Sequence, residues 1–263
     1  MKSKKSLRLH IETLLTFLQL PLDTFEIFAL IFCCIFGAAI TTSVGSGGGL
    51  LVIAGVSMIL PTNAVIPIHG IIQSGAGIIR AIIFRRSIVR KVIFLFFIGT
   101  LIGYGFSIHF LIALPEYMLK LILGLGIIIL NLLPKLKFQS VSNSSIIIIG
   151  TITGFLTMFI GVMGPIIATF LLTFMKQRHI MVGTFAWCMA LQNIGKTIIF
   201  GSLGFDYLPW VFLILILIIS SYIGTILGKR LLDKSNDVLF KKMLKITIIT
   251  LGSKLIYDAF LLY

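Results

Sequence analysis

Few side chains in this sequence could do chemistry, and most of those sit inside long apolar runs, where polar groups are costly and mark function or pathways. In the run Thr62–Phe84, His69, Gln73 and Arg80 are spaced by four and seven residues. At about 100° per helical residue they share roughly a 40° arc. In Met181–Gly201, Gln192 and Lys196 are four apart, with Thr184 and Cys188 leading into them. One cation-bearing stripe in each half of the chain would suit an anion site between the halves. Arg80 and Lys196 would attract the anion, while Gln73, Gln192 and Thr184 would orient it. His69 is the candidate for proton coupling, because histidine ordinarily titrates near about pH 6.5. Each residue also has a plainer reading. Arg80 lies four residues from Phe84 and Lys196 five from Gly201, so both could snorkel to the membrane surface. Gln73 and Gln192 could bond between helices, and His69 could be a satisfied interhelical histidine.

Two glycine clusters carry more specific physics. Gly45-Ser46-Gly47-Gly48-Gly49 and Gly161-Val162-Met163-Gly164-Pro165 each interrupt an apolar tract, Phe25–Leu60 and Ile146–Phe174. Lipid cannot satisfy the backbone groups that such breaks free, so the breaks must face protein or a watery cavity. Each tract is therefore expected to form a helical hairpin whose tip lies within the membrane. Helices restarting at Leu50 and Ile166 would point unpartnered N–H groups, and the positive end of the dipole, at an anion. Gly45, Ser46, Gly47, Gly48, Gly49, Gly161 and Gly164 thus join the expected substrate site. Alternatively, the glycines serve only to let helices cross closely. The first cluster is not a phosphate-binding P-loop, because the Gly-Lys-Ser/Thr ending is absent.

The elements that must position these groups follow from composition. Of 263 residues, 58% are hydrophobic and 11% charged, with a mean hydropathy of +1.14. A soluble domain carries roughly a quarter charged residues, so a soluble enzyme and a nucleic-acid-binding protein are excluded as leading readings. Runs of about 20 apolar residues span a bilayer as helices, and Thr62–Phe84, Val92–Leu114, Tyr117–Leu133, Met181–Gly201, Leu208–Leu227 and Met243–Leu262 qualify. The net charge of +14 collects between these runs, at Arg85, Arg86, Arg90 and Lys91, at Lys176 and Arg178, and at Lys229 and Arg230. That is the positive-inside pattern of cytoplasmic loops. Cys33, Cys34 and Cys188 all lie in apolar runs and read as packing residues rather than disulfides or metal ligands. Lys254 and Asp258, four apart, most simply pair along one helix face.

A shift of 116 residues sets Gly45 on Gly161, Gly48 on Gly164 and Arg80 on Lys196. The order apolar run, break, apolar run, polar-spotted helix, two more helices occurs twice. The expected organisation is a basic, amphipathic lead-in (1–24), a first membrane repeat (25–133), a basic linker (134–145) and a second repeat (146–263). The loop after the polar-spotted helix is basic in the first repeat, and in the second, at Ser202–Tyr207, it carries only Asp206. Opposite loop polarity implies that the repeats enter the membrane in opposite senses, as in many secondary transporters. The basic Met1–Arg8 segment runs against this scheme, which places it outside.

The segment GAAITTSVGSGGGLLVIAGVSMILP (37–61), followed by a helix, a basic loop and FFIGTLIGYGFS (96–107), resembles the first repeat of the sulfite exporter TauE/SafE family. GFLTMFIGVMGPIIATFLLTF (154–174) with Val182–Thr184 resembles the second repeat, and ISSYIGTILGKRL (219–231) its later glycine-spaced helix. The sequence departs from the family's pattern at Met163 and Pro165, where glycines are common, and at Pro67, His69 and Gly70. The resemblance implies a membrane permease of two homologous halves that takes small sulfur-containing or carboxylated anions such as sulfite or sulfonates.

The expectation is an all-α polytopic transmembrane bundle of two inverted repeats, a non-enzymatic inner-membrane permease of a prokaryote. Its partners would be a small anion and the lipid bilayer, with no nucleic acid, no cofactor and no metal; homo-oligomerisation is left open. No intramembrane Asp/Glu pair suggests a sodium site. Two rivals are a non-transporting scaffold or assembly factor and an intramembrane serine hydrolase using Ser46 and His69. The hydrolase lacks the glycine elbow around its serine, since Val44 stands where the first glycine must be.

Overall fold

A computed structural model describes residues 22–111, 115–132, 141–231 and 238–261. Most of the N-terminal lead-in, the Lys135–Lys137 linker and the segment after Leu231 lie outside these residues. The described residues form an all-α bundle of ten helices. In order these are α1 (Thr24–Val44), α2 (Gly48–Ile59), α3 (Thr62–Ile83), α4 (Arg90–Leu111), α5 (Glu116–Leu132), α6 (Asn143–Ile160), α7 (Gly164–Leu172), α8 (Arg178–Ser202), α9 (Val211–Leu231, preceded by a 3-10 turn at Leu208–Trp210) and α10 (Val238–Leu261).

Among the described residues, five spans are long and apolar enough to cross a membrane: Thr24–Val44, Thr62–Ile83, Arg90–Phe110, Asn143–Ile160 and Leu208–Arg230. Gly48–Ile59 and Tyr117–Leu132 are apolar but shorter. In α8, Gln192, Asn193 and Lys196 dilute the hydropathy. The outer surface fits lipid rather than water: Phe25, Phe28, Phe32 and Phe36 recur down the outside of α1, and Phe94, Leu101 and Phe106 down α4. A soluble monomer rarely exposes an apolar surface of that extent. The protein is an integral, multi-pass membrane protein.

The helix ends explain where the chain breaks. α1 and α6 begin with complete capping boxes, Asp23 with Glu26 and Ser142 with Ser145, which satisfy the first orphan donors. Each ends on a left-handed glycine, Gly45 (φ 94°) and Gly161 (φ 78°), a conformation that side-chain-bearing residues rarely adopt. The chain then restarts almost at once as α2 and α7, at Gly48 and Gly164, two residues earlier than the sequence predicts. The first pair is a true hairpin: Gly48 packs on Gly37, and Gly55 against Cys33. At about 1.5 Å per residue, α1 can cross by itself and the 12-residue α2 returns only part of the way.

The remaining helices pair across the two halves of the chain. α3 and α8 run antiparallel, since Gly70 meets Lys196 and Thr197, Gly77 meets Ala190, and Phe84 meets Gly183. α5 and α10 are also antiparallel, through Gly124 and Gly252. α4 lies parallel to α6, with Gly99 on Ile147 and Gly103 on Thr151, and α9 parallel to α1, with Gly224 on Ile35 and Gly228 on Ala39. In each of these four pairs a glycine faces the neighbouring backbone, which is how helices pack closely where water cannot drive them together. The end of α3, the start of α8 and the end of α9 consequently meet at one end of the bundle, and the basic loops meet with them.

Candidate functional site

The two breaks touch each other. A side chain at Gly49 would lie 3.2 Å from Val162, and Gly161 faces Ile53 and Ile66. Between them is a cavity of about 20 Å³, room for a water-sized guest. The first half of the chain lines it with Thr41, Gly47, Gly49, His69, Gln73 and Arg80. The second half contributes Val162, Gly164, Pro165, Phe185 and Met189. The N-cap positions of both inner helices, Gly47 and Met163, supply no side-chain cap. No side chain therefore caps their first turns as Asp23 and Ser142 cap α1 and α6; Leu50 N–H turns back to Gly47 O at 3.1 Å, and Pro165 has no N–H to offer.

Arg80 is 2% exposed, so it does not snorkel. Its Nε donates to Thr42 Oγ1 at 3.1 Å, while Nη2 has no partner and the side chain borders the cavity. Thr42 in turn donates to Ala38 O at 2.8 Å, so it is fixed as an acceptor for Arg80. His69 is fully buried. Its ring nitrogens face the backbones of Gly49 and Gly161 without a hydrogen bond of good geometry. His69 thus makes no hydrogen bond to Ser46, the contact that a serine hydrolase would need.

Lys196 is also fully buried, but its ammonium is engaged: Nζ donates to Gly161 O at 2.7 Å. It caps the carbonyl end of α6, where the helix dipole favours a cation. It is not part of the cavity lining, and neither are Thr184 and Gln192. Thr184 Oγ1 accepts from the Val89 N–H at 3.0 Å and pins the basic loop to α8. Gln192 Nε2 donates to Thr153 Oγ1 at 3.2 Å, and the backbone carbonyl of Gln192 accepts from the Tyr104 hydroxyl. The α8 face turned to the cavity carries Phe185 and Met189 instead. Among the glycines, Gly47, Gly49 and Gly164 line the cavity. Gly45 faces Met181, Gly48 packs on α1 and Gly161 abuts Ile53. Ser46 sits half-buried in the bend between α1 and α2.

Sequence reasoning missed Thr42, Phe185 and Met189. The run Thr41-Thr42-Ser43 just before the first break was an available signal for Thr42. The 116-residue offset sets Phe185 on His69 and Met189 on Gln73, so it also pointed to the other two.

Among the described residues no Asp or Glu is buried. Two cations are thus held in the interior without an internal carboxylate, and one of them keeps a free donor aimed at a cavity. A multi-pass membrane protein of helices broken around such a cavity is built as a transporter. The sulfite exporter TauE/SafE family matches residues 30–255, and the chain belongs to that family of membrane transporters; it is not an enzyme. No curated protein and no solved structure matches the chain significantly.

Proposed function

We propose that this protein is a secondary permease for a small anion (sulfite, a sulfonate or a related organic anion) in the inner membrane of a prokaryote. The observation that carries this reading is the buried guanidinium of Arg80, with Nη2 unpartnered at the cavity and, among the described residues, no buried carboxylate to neutralise it. Burying an unpaired ion costs several kcal/mol, and an arriving anion removes that cost. Arg80 would bind two oxygens of a planar or pyramidal oxyanion. The uncapped N–H groups of α2 and α7 would take the remaining charge, and Gln73 would orient the group. His69, with unpartnered ring nitrogens beside the site, is suited to carry a coupled proton.

The two halves are read as inverted repeats. In support, the matching helices α3 and α8, and again α5 and α10, run antiparallel. Alternating access would then rock one half against the other about the breaks.

The test is uptake and efflux by proteoliposomes across sulfite, thiosulfate, sulfonates and short carboxylates. At least one of these anions should move, and Arg80→Gln should stop it. If none moves, or Arg80→Gln moves it as well as the wild type, the site reading falls and a non-transporting scaffold becomes the better account.

A further inference from the structure

A second cleft, of about 490 Å³, opens at the basic end of the bundle and is lined by Phe84, Arg85, Arg86, Ser87, His179 and Lys229. Three elements build it: the loop after α3, the first turn of α8 and the last turn of α9. The positive-inside rule accounts for basic residues at this end, but not for their convergence on one concavity. The tertiary packing enforces that convergence. Gly183 packs against the backbone of Phe84 and Ser87, and the Val89–Thr184 bond holds the loop from beyond.

The cleft also stands directly over the inner site. Phe84, 4% exposed, lies one turn beyond Arg80, and its N–H donates to Arg80 O at 3.0 Å. One helical turn is about 5.4 Å, so the same helix puts Phe84 in the cleft and Arg80 in the cavity. On the other wall, Gly228, next to Lys229, packs against Thr42, the residue that holds Arg80. Phe84 thus lines the cleft one helical turn from the residue that lines the cavity.

We infer that this cleft is the mouth of the anion route, an oxyanion-collecting vestibule, and that the Phe84 ring is the barrier between it and the Arg80 site. The inference rests on the anion-permease reading and adds the path and its gate. Concave surfaces of one charge sign concentrate counter-charged ligands and raise their capture rate in a salt-dependent way. A phosphate-bearing lipid headgroup shares the chemistry, so the two sources must be told apart.

The first experiment measures radiolabelled sulfite uptake in neutral phosphatidylcholine vesicles. Replacing Arg85, Arg86 and Lys229 together by Gln should raise KM about tenfold at low ionic strength. That difference should fade when salt shortens the screening length. An unchanged KM, or an effect seen only with anionic lipid present, overturns the vestibule; the second result assigns the cleft to headgroups. The second experiment needs no transport. In detergent, with the three native cysteines replaced, Ser87→Cys should react with an anionic thiosulfonate reagent about tenfold faster than with a cationic one. The preference should vanish in the triple variant. Thr41→Cys, at a position that lines the cavity, should resist the anionic reagent while Phe84 is present and become reactive with Phe84→Ala or Phe84→Leu. Equal reactivity of Thr41→Cys with and without the ring overturns the gate. If the wild type moves no anion, the permease reading fails by itself, and the thiol rates still decide whether the cleft collects anions and the ring blocks them.

Discussion

The first break with Arg80 and the second break with Lys196 occupy matching positions in the chain, yet they are used differently. Arg80 is braced by a hydroxyl and keeps one guanidinium nitrogen free at the cavity. Lys196 spends its ammonium on the carbonyl end of the helix that the second break terminates. The cavity walls show the same division. Where the first half presents His69 and Gln73, the second presents Phe185 and Met189 at the 116-residue offset. Positions that match along the chain therefore do not carry matching chemistry. One half holds the polar groups, while the other supplies an apolar wall and a cation that stabilises its own break.

The sharpest way to break this comparison is at the paired glycines. A side chain at Gly48 would collide with the Gly37 carbonyl, whereas one at Gly164 would meet only the Phe185 ring at 3.5 Å. Gly48→Ala should cost about 3 kcal/mol or more and lose most folded protein, while Gly164→Ala should fold normally. Thermal melts in detergent check both, and equal melting would erase the difference between the breaks.

The cations come next. Arg80→Gln should lower anion flux about 100-fold or more, the loss expected when a buried charge-assisted contact is removed. Lys196→Gln should keep flux within about tenfold, yet lose about 1–3 kcal/mol of stability if Gly161 O is left unsatisfied. Equal flux losses with unchanged melting would put Lys196 back at the substrate.

A subtler contrast concerns His69 and its apolar counterpart Phe185. If His69 carries a coupled proton, His69→Gln should flatten the pH dependence of flux between about pH 5 and 8. Phe185→Leu should leave that profile intact. A profile unaltered in His69→Gln would make the histidine a structural group.

The smallest effect is expected at Thr42, which orients Arg80 without facing the anion in this arrangement. Thr42→Val should weaken apparent affinity about fivefold, the worth of one side-chain hydrogen bond. Thr42→Ser should restore it, and failure of that rescue would reduce Thr42 to packing.

Much of the fold was legible in the residues. Apolar run length marked the helices, the glycine clusters marked both breaks, and Lys254 and Asp258 do pair, at 2.8 Å. The fate of the polar residues was harder to read. Thr184, Gln192 and Lys196 share a stripe with the right periodicity, but periodicity fixes only which residues share a face. It does not say what that face meets. The crossing of α8 with α3 and α6 turns Gln192 toward Thr153 and Lys196 toward Gly161, and leaves Phe185 and Met189 at the cavity. The vestibule was hidden for the same reason. Arg85, Arg86, His179 and Lys229 lie in three distant segments, and His179 had no local signal.

By itself the sequence determined the solvent, the helices and the places where they break. Hydrophobic length, glycine backbone freedom and the cost of bare backbone in lipid are local properties of the chain. Only the tertiary structure decided which buried cation is free and which is bonded, because that depends on whether a carbonyl or a cavity lies across the interface. Gly161 offers Lys196 its carbonyl oxygen, while Arg80 Nε meets one hydroxyl and Nη2 is left without a partner; no spacing along the chain encodes that difference.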